Sequence, residues 1–95
     1  MVDKTANHSI YSRMNKVELK NAHRHSLRNK KEIELSSQCG CFNCNRIFIS
    51  SEVEDYTDDG ETALCPYCGV DSLIGDASGI QLSEAFLHNM HKHWM

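Results

Sequence analysis

Two cysteine pairs, Cys41-Phe42-Asn43-Cys44 and Cys65-Pro66-Tyr67-Cys68-Gly69, are separated by residues 45–64. Within each pair the i, i+3 spacing lets two thiolates on one tight turn face a common centre. Two such turns supply the four sulfurs of a tetrahedral zinc site. The pattern predicts one structural Zn²⁺ held by Cys41, Cys44, Cys65 and Cys68. A closed four-thiolate shell leaves no position for water or substrate, so it points to structure before catalysis.

A chain of 95 residues makes one small domain with an appendage. Hydrophobic burial at this size supplies only about 3–5 kcal/mol. Structural zinc contributes roughly 10–16 kcal/mol in apparent terms, so the domain is expected to need its metal to fold. A secreted disulfide framework fits poorly: the five cysteines are odd in number, and the chain opens on polar, charged residues without a signal-peptide pattern. Apolar runs such as Ile47-Phe48-Ile49 are too short to span a bilayer. The expected location is a reducing cytoplasm.

The net charge of −3 hides an asymmetry. Residues 1–38 carry eight Lys or Arg against four acids, a balance of +4. Residues 39–95 carry Arg46 and Lys92 against nine acids, a balance of −7. Four thiolates around one Zn²⁺ make that half about two charges more negative. Phosphate backbones repel such a surface, so any nucleic-acid contact falls to the N-terminal part. The division adopted is a basic helical arm over 1–38 and a zinc-ribbon-like domain with a C-terminal helix over 39–95.

Along the arm, Val2, Ala6, Ile10, Met14 and Val17 recur at helical spacing. Ser26 is a candidate cap for a second helix through Leu27 to Leu35. Asn45 and Gly69, which follow the two pairs, both tolerate positive φ and let backbone N–H groups turn toward sulfur. Pro66 stiffens the second turn. Arg46 to Ile49 reads as a strand. Ser51 with Glu54 reads as a capping box opening one or two helical turns, and Thr62 to Leu64 as a returning strand. Val70 to Ile74 suits another strand and Gly75 to Gly79 a loop. Leu82, Phe86, Leu87, Met90 and Trp94 form the apolar stripe of a final helix capped near Ser83, expected to pack on the ribbon.

The run Cys39-Gly40-Cys41-Phe42-x-Cys44, then Ile47-Phe48, then Thr62-Ala63-Leu64-Cys65-Pro66-Tyr67-Cys68-Gly69-Val70-Asp71-Ser72-Leu73-Ile74-Gly75, resembles a group of small bacterial cytoplasmic proteins. Leu87, Met90-His91 and Trp94 fit the ending of that group. The resemblance covers residues 39–95 and implies a zinc-ribbon-like fold in a cytoplasmic protein, with no activity attached. Zinc ribbons as a class serve transcription, translation and protein docking, so fold alone does not choose among these.

Other residues are candidates for chemistry. Cys39 could replace Cys41 as a ligand, although one intervening residue makes a poorer turn. It could also act as a redox thiol, and its plainer reading is a small residue buried behind the first turn. His88 and His91 share a helical face near His93 and could hold a second metal, against a plainer reading as exposed or partner-facing side chains. A His23–His91 contact would be pH-sensitive. The acidic run Glu52, Glu54, Asp55, Asp58, Asp59 and Glu61 has no accompanying nucleophile or phosphate-binding loop and reads as a solvated face or a docking surface for a basic protein. Lys16, Lys20, Arg24, Arg28 and Lys31 would form a basic stripe on a continuous helix, although Tyr11 is the only nearby aromatic able to stack on a base.

The sequence therefore supports a small α+β zinc-ribbon domain with an N-terminal helical arm and a C-terminal amphipathic helix. The expected role is a non-enzymatic adaptor or regulator that binds another protein, with self-association compatible through either helical surface. The alternatives are a nucleic-acid-associated regulator using the arm, and a metal-dependent enzyme or metal sensor using His88, His91 and Cys39.

Overall fold

The computed structural model describes residues 16–95. The stripe positions Val2, Ala6, Ile10 and Met14, and Tyr11, lie outside them. The described chain is a small α+β fold with α1 (Lys16–Arg24), α2 (Lys30–Leu35), β1 (Gln38–Cys41), β2 (Ile47–Ile49), β3 (Tyr56–Thr57), β4 (Thr62–Ala63), β5 (Leu73–Gly75) and α3 (Glu84–Trp94). Single 3-10 turns occupy Ser50–Glu52 and Asp76–Ser78. Among the described residues, no helix is long and apolar enough to cross a membrane.

The strands form two antiparallel sheets, β2-β1-β5 and the β3-β4 hairpin. Cys39 stands opposite Phe48 on β2 and Gly75 on β5, while Gly40 stands opposite Ile47 and Ile74. Alternation along β1 then assigns the two faces of the sheet to different cores. One core gathers Ile33 of α2 with Cys39, Cys41, Phe48, Ala63, Cys65 and Leu73. The other gathers Leu19 and Ala22 of α1 with Phe42, Ile74, Phe86, Leu87 and Met90. Helix α3 crosses β1 where the strand has no side chain: a Cβ at Gly40 would lie 3.1 Å from Leu87 Cδ2.

Residues 16–38 contribute Leu19, Ala22 and Ile33 to these cores. Val17 is 66% exposed, off the buried face of its helix. The expected helix from Leu27 to Leu35 is shorter in fact and starts at Lys30. Ser26 does not cap it; its hydroxyl donates back to the His23 carbonyl at 2.6 Å. Arg28 adopts φ 45° and donates its N–H to Thr62 Oγ1. The next residue, Asn29, is buried and donates Nδ2 to the carbonyls of His25 and Leu73 while Oδ1 accepts from Ala63 N. These bonds to distant backbone outweigh the local helical preference. The basic stripe from Lys16 to Lys31 is consequently broken between α1 and α2.

Elsewhere the elements follow the expected order with shifted ends. Ser51 and Glu54 make no capping box: Val53 N returns to Ser50 O after a single turn, no side chain caps that turn, and Val53 is already extended. The strand expected over Val70 to Ile74 begins at Leu73, because the Val70 and Ser72 carbonyls serve the two cysteine turns instead, accepting from Cys65 N and Phe42 N. The Gly75 to Gly79 segment holds a 3-10 turn whose Asp76 carboxylate accepts Ser37 N and Gln38 N. Ser83 caps α3 as expected, accepting Phe86 N at 3.1 Å. Phe86, Leu87 and Met90 are buried, whereas Trp94 packs on α1. Its ring lies 4.1 Å from that of His23 and its Nε1 donates to Leu19 O.

Candidate metal centre

Both cysteine turns are built the same way. In the first, Asn45 N donates to Cys41 O at 2.8 Å and Cys41 N to Arg46 O at 2.9 Å. In the second, Gly69 N donates to Cys65 O at 2.8 Å and Cys65 N to Val70 O at 3.0 Å. Closing each turn requires a left-handed residue directly after its second cysteine. Asn45 at φ 63° and Gly69 at φ 77° supply it, because a short polar side chain or none is cheapest there.

The turns face each other, and Sγ atoms of Cys41, Cys44, Cys65 and Cys68 all lie within 4.8 Å of one another. Cys41 and Cys68 sulfurs are 3.6 Å apart, and those of Cys44 and Cys65 are 3.8 Å apart. Four sulfurs bound tetrahedrally at a Zn–S distance of ~2.3 Å would be separated by ~3.8 Å along each edge. All five cysteines are free thiols. The four could therefore coordinate one metal ion, and tetrahedral S₄ chemistry suits zinc or iron.

Polar groups surround the sulfurs. Asn43 N and Cys44 N point at Cys41 Sγ, at 3.4 and 3.5 Å, and Tyr67 N points at Cys65 Sγ at 3.4 Å. Two side chains reach in as well: Ser72 Oγ lies 3.1 Å from Cys41 Sγ, and Asn43 Nδ2 donates to Cys68 Sγ at 3.4 Å. Burial raises the Cys41 thiol to about 12 despite the Ser72 contact. Burial also raises Cys65. At Cys68 burial works the same way, but bonds from Asn43, the Val70 backbone and the neighbouring sulfurs outweigh it and bring the thiol down to about 7. Donors of this kind steady thiolate charge and orient ligands.

Cys39 is fully buried and is not among the clustered sulfurs. Its side chain shares the core face with Phe48 rather than substituting for Cys41. Burial, then Asp76 and Cys65, push its thiol up to about 12, the opposite of an activated nucleophile.

Among the described residues the histidines do not converge. His91 Nδ1 donates to Phe42 O at 3.0 Å, while His88 is exposed beside Asn45, Glu84 and Ala85. His23 contacts the rings of Phe42 and Trp94. Among the described residues the four cysteines are the only His, Cys, Asp or Glu group with metal-binding geometry. The acidic run is exposed or half-buried at the 3-10 turn and the β3-β4 hairpin.

Ser72, Asn43 and Asn29 are the contributors that sequence reading missed. A left-handed Asn or Gly after each pair was a usable signal; a serine 31 positions from its sulfur left none.

No protein-family model, curated protein or solved structure matches this chain. The centre is therefore interpreted from its own geometry.

Proposed function

We propose that Cys41, Cys44, Cys65 and Cys68 hold one structural zinc ion in a zinc-ribbon-like fold, and that the protein is a non-enzymatic adaptor or regulator acting by contact with another protein. The observation that carries the metal assignment is the pair of equivalent turns bringing four sulfurs to tetrahedral spacing. A four-thiolate shell is coordinatively closed, which favours a structural role over hydrolytic chemistry. Kinship with the small bacterial cytoplasmic group, on the Cys39–Cys44 and Thr62–Gly75 runs, is part of the same proposal.

Binding to protein is preferred over the nucleic-acid reading because the basic stripe is interrupted at Arg28. The sensor or enzyme reading needs the histidines, and His88 and His91 gather no third ligand among the described residues. Native mass spectrometry of the purified chain at low and moderate salt tests this. One zinc per chain and no bound nucleic acid is the expected result. Two metals per chain, or nucleic acid that is lost as salt rises, would overturn it.

A further inference from the structure

We propose that the cleft between α1 and α2 docks an acidic segment of a partner protein that also carries apolar side chains, an inference that rests on the adaptor reading above. The cleft measures about 410 Å³ and is lined by Arg24, Leu27, Arg28, Lys31 and Leu35, among others. Its three cations are exposed. Among the described residues none of them has a carboxylate within ion-pair distance. Its two leucines are exposed as well, Leu27 at 48% and Leu35 at 80%. Cationic and apolar groups thus stand together, unpaired, in one concave surface.

The cleft floor is fixed before any ligand arrives. Arg28 N is held by Thr62 Oγ1, which in turn donates to Asp58 Oδ2. Lys30 N is held by Glu61 O, and buried Asn29 ties the turn to β4 and β5. A preformed turn spares the ordering cost that a flexible basic arm would incur on binding.

Three observations select the occupant. Beyond residue 38 the chain carries a balance of −7, so an acidic partner is repelled from most of the domain and steered to this cleft. A phosphate backbone would match the cations but leave the leucines uncovered, and no Phe, Tyr or Trp lines the cleft to stack a base; the one ring there, the imidazole of His25, is engaged by Glu32. Glu32 also lines it, paired with His25 at 2.9 Å, and disfavours the dense negative charge of a nucleic acid. Spaced carboxylates with intervening apolar side chains satisfy all of these features.

The test uses the full metal-loaded chain and a fluorescein-labelled synthetic peptide in which Glu and Leu recur at helical spacing. Fluorescence anisotropy should show saturable binding that weakens with salt. The double variant Arg24→Ala/Arg28→Ala should weaken it about tenfold, as loss of two exposed charge pairs implies. The double variant Leu27→Ser/Leu35→Ser should weaken it about fivefold without altering the salt dependence. Lys92→Ala, away from the cleft, should leave binding unchanged, and circular dichroism with metal analysis verifies that every variant folds. Absence of binding, indifference to either double variant, or tighter binding of a single-stranded oligonucleotide of equal charge would each overturn the proposal. So would chain self-association that the arginine variant abolishes, because the acidic hairpin of a second copy would then be the occupant. A chain that ignores the peptide yet holds one zinc and no nucleic acid loses the cleft proposal while the adaptor reading stands.

Discussion

The side-chain amide of Asn29 donates to the carbonyl of Leu73 at 2.9 Å, across 44 positions of sequence. This bond joins the turn between α1 and α2 to the strand that follows the second cysteine pair. The Oδ1 atom of the same amide accepts Ala63 N at 3.0 Å. Replacing Asn29 by Ala strands a buried donor and a buried acceptor together. The expected cost is about 2–4 kcal/mol, read as a lower denaturation midpoint of the metal-loaded chain with an unchanged slope. An unchanged midpoint would mean that water satisfies both groups.

Thiol reactivity should follow the environment of each sulfur. Immediately after chelation at pH 7, before the metal-free chain loses its fold, Cys68, with its thiol near 7, is about half thiolate and half-buried. Cys39 and Cys41, raised to about 12 and buried, remain thiols. Brief alkylation followed by peptide mass analysis should label Cys68 well ahead of both. The sign for stability follows from the same shift. The depressed thiol of Cys68 stabilises the metal-free fold above its unfolded value of 9, and that contribution is lost as pH falls through about 7. Equal labelling of Cys68 and Cys41 would contradict the assignment.

Metal removal should reach the helical layer. Phe42 lies between two candidate ligands, belongs to the core beneath α3, and its carbonyl accepts from His91 Nδ1. The lone tryptophan, Trp94, sits at the far end of that helix against His23 and Leu19. Chelation should therefore red-shift its emission as it loses those neighbours, and added zinc should reverse the change. Emission that stays constant while metal analysis shows full removal would uncouple the helices from the centre.

Gly75 offers a packing test away from sulfur. A methyl group there would overlap the Ser36 side chain, and Ile33 Cδ1 would lie at 3.3 Å. Ser36 cannot simply turn aside, because its hydroxyl donates to Glu32 O and accepts Ala77 N. Gly75→Ala should cost about 1–3 kcal/mol, measured by thermal or denaturant unfolding. The substitution Gly60→Ala, where the added methyl meets nothing, strains only the local backbone and separates backbone cost from crowding.

What the sequence disclosed and what it concealed divide along the reach of each interaction. The cysteine turns were legible because both ligands and the left-handed residue closing each turn lie within five consecutive positions. The stripe of α3 and its Ser83 cap were legible for the same reason. The break at Arg28 was not, since Leu27 to Leu35 carries an acceptable helical pattern and the overriding bond comes from Thr62. Burial of Cys39 matched its plainer reading, while the contact of Ser72 with Cys41 depends on strand pairing that no local pattern announces.

Phe42 has a consequence for chains that lack an ion. The ring that the helices pack upon is carried by the very loop that the ion would brace, so loading would give the helical layer a firmer base. Chains waiting for metal are expected to show Phe86, Leu87 and Met90 to their surroundings, the kind of surface that chaperones retain and proteases cut. Abundance would then track zinc supply without any dedicated sensor, and limited proteolysis before and after metal addition would register it as a change in lifetime.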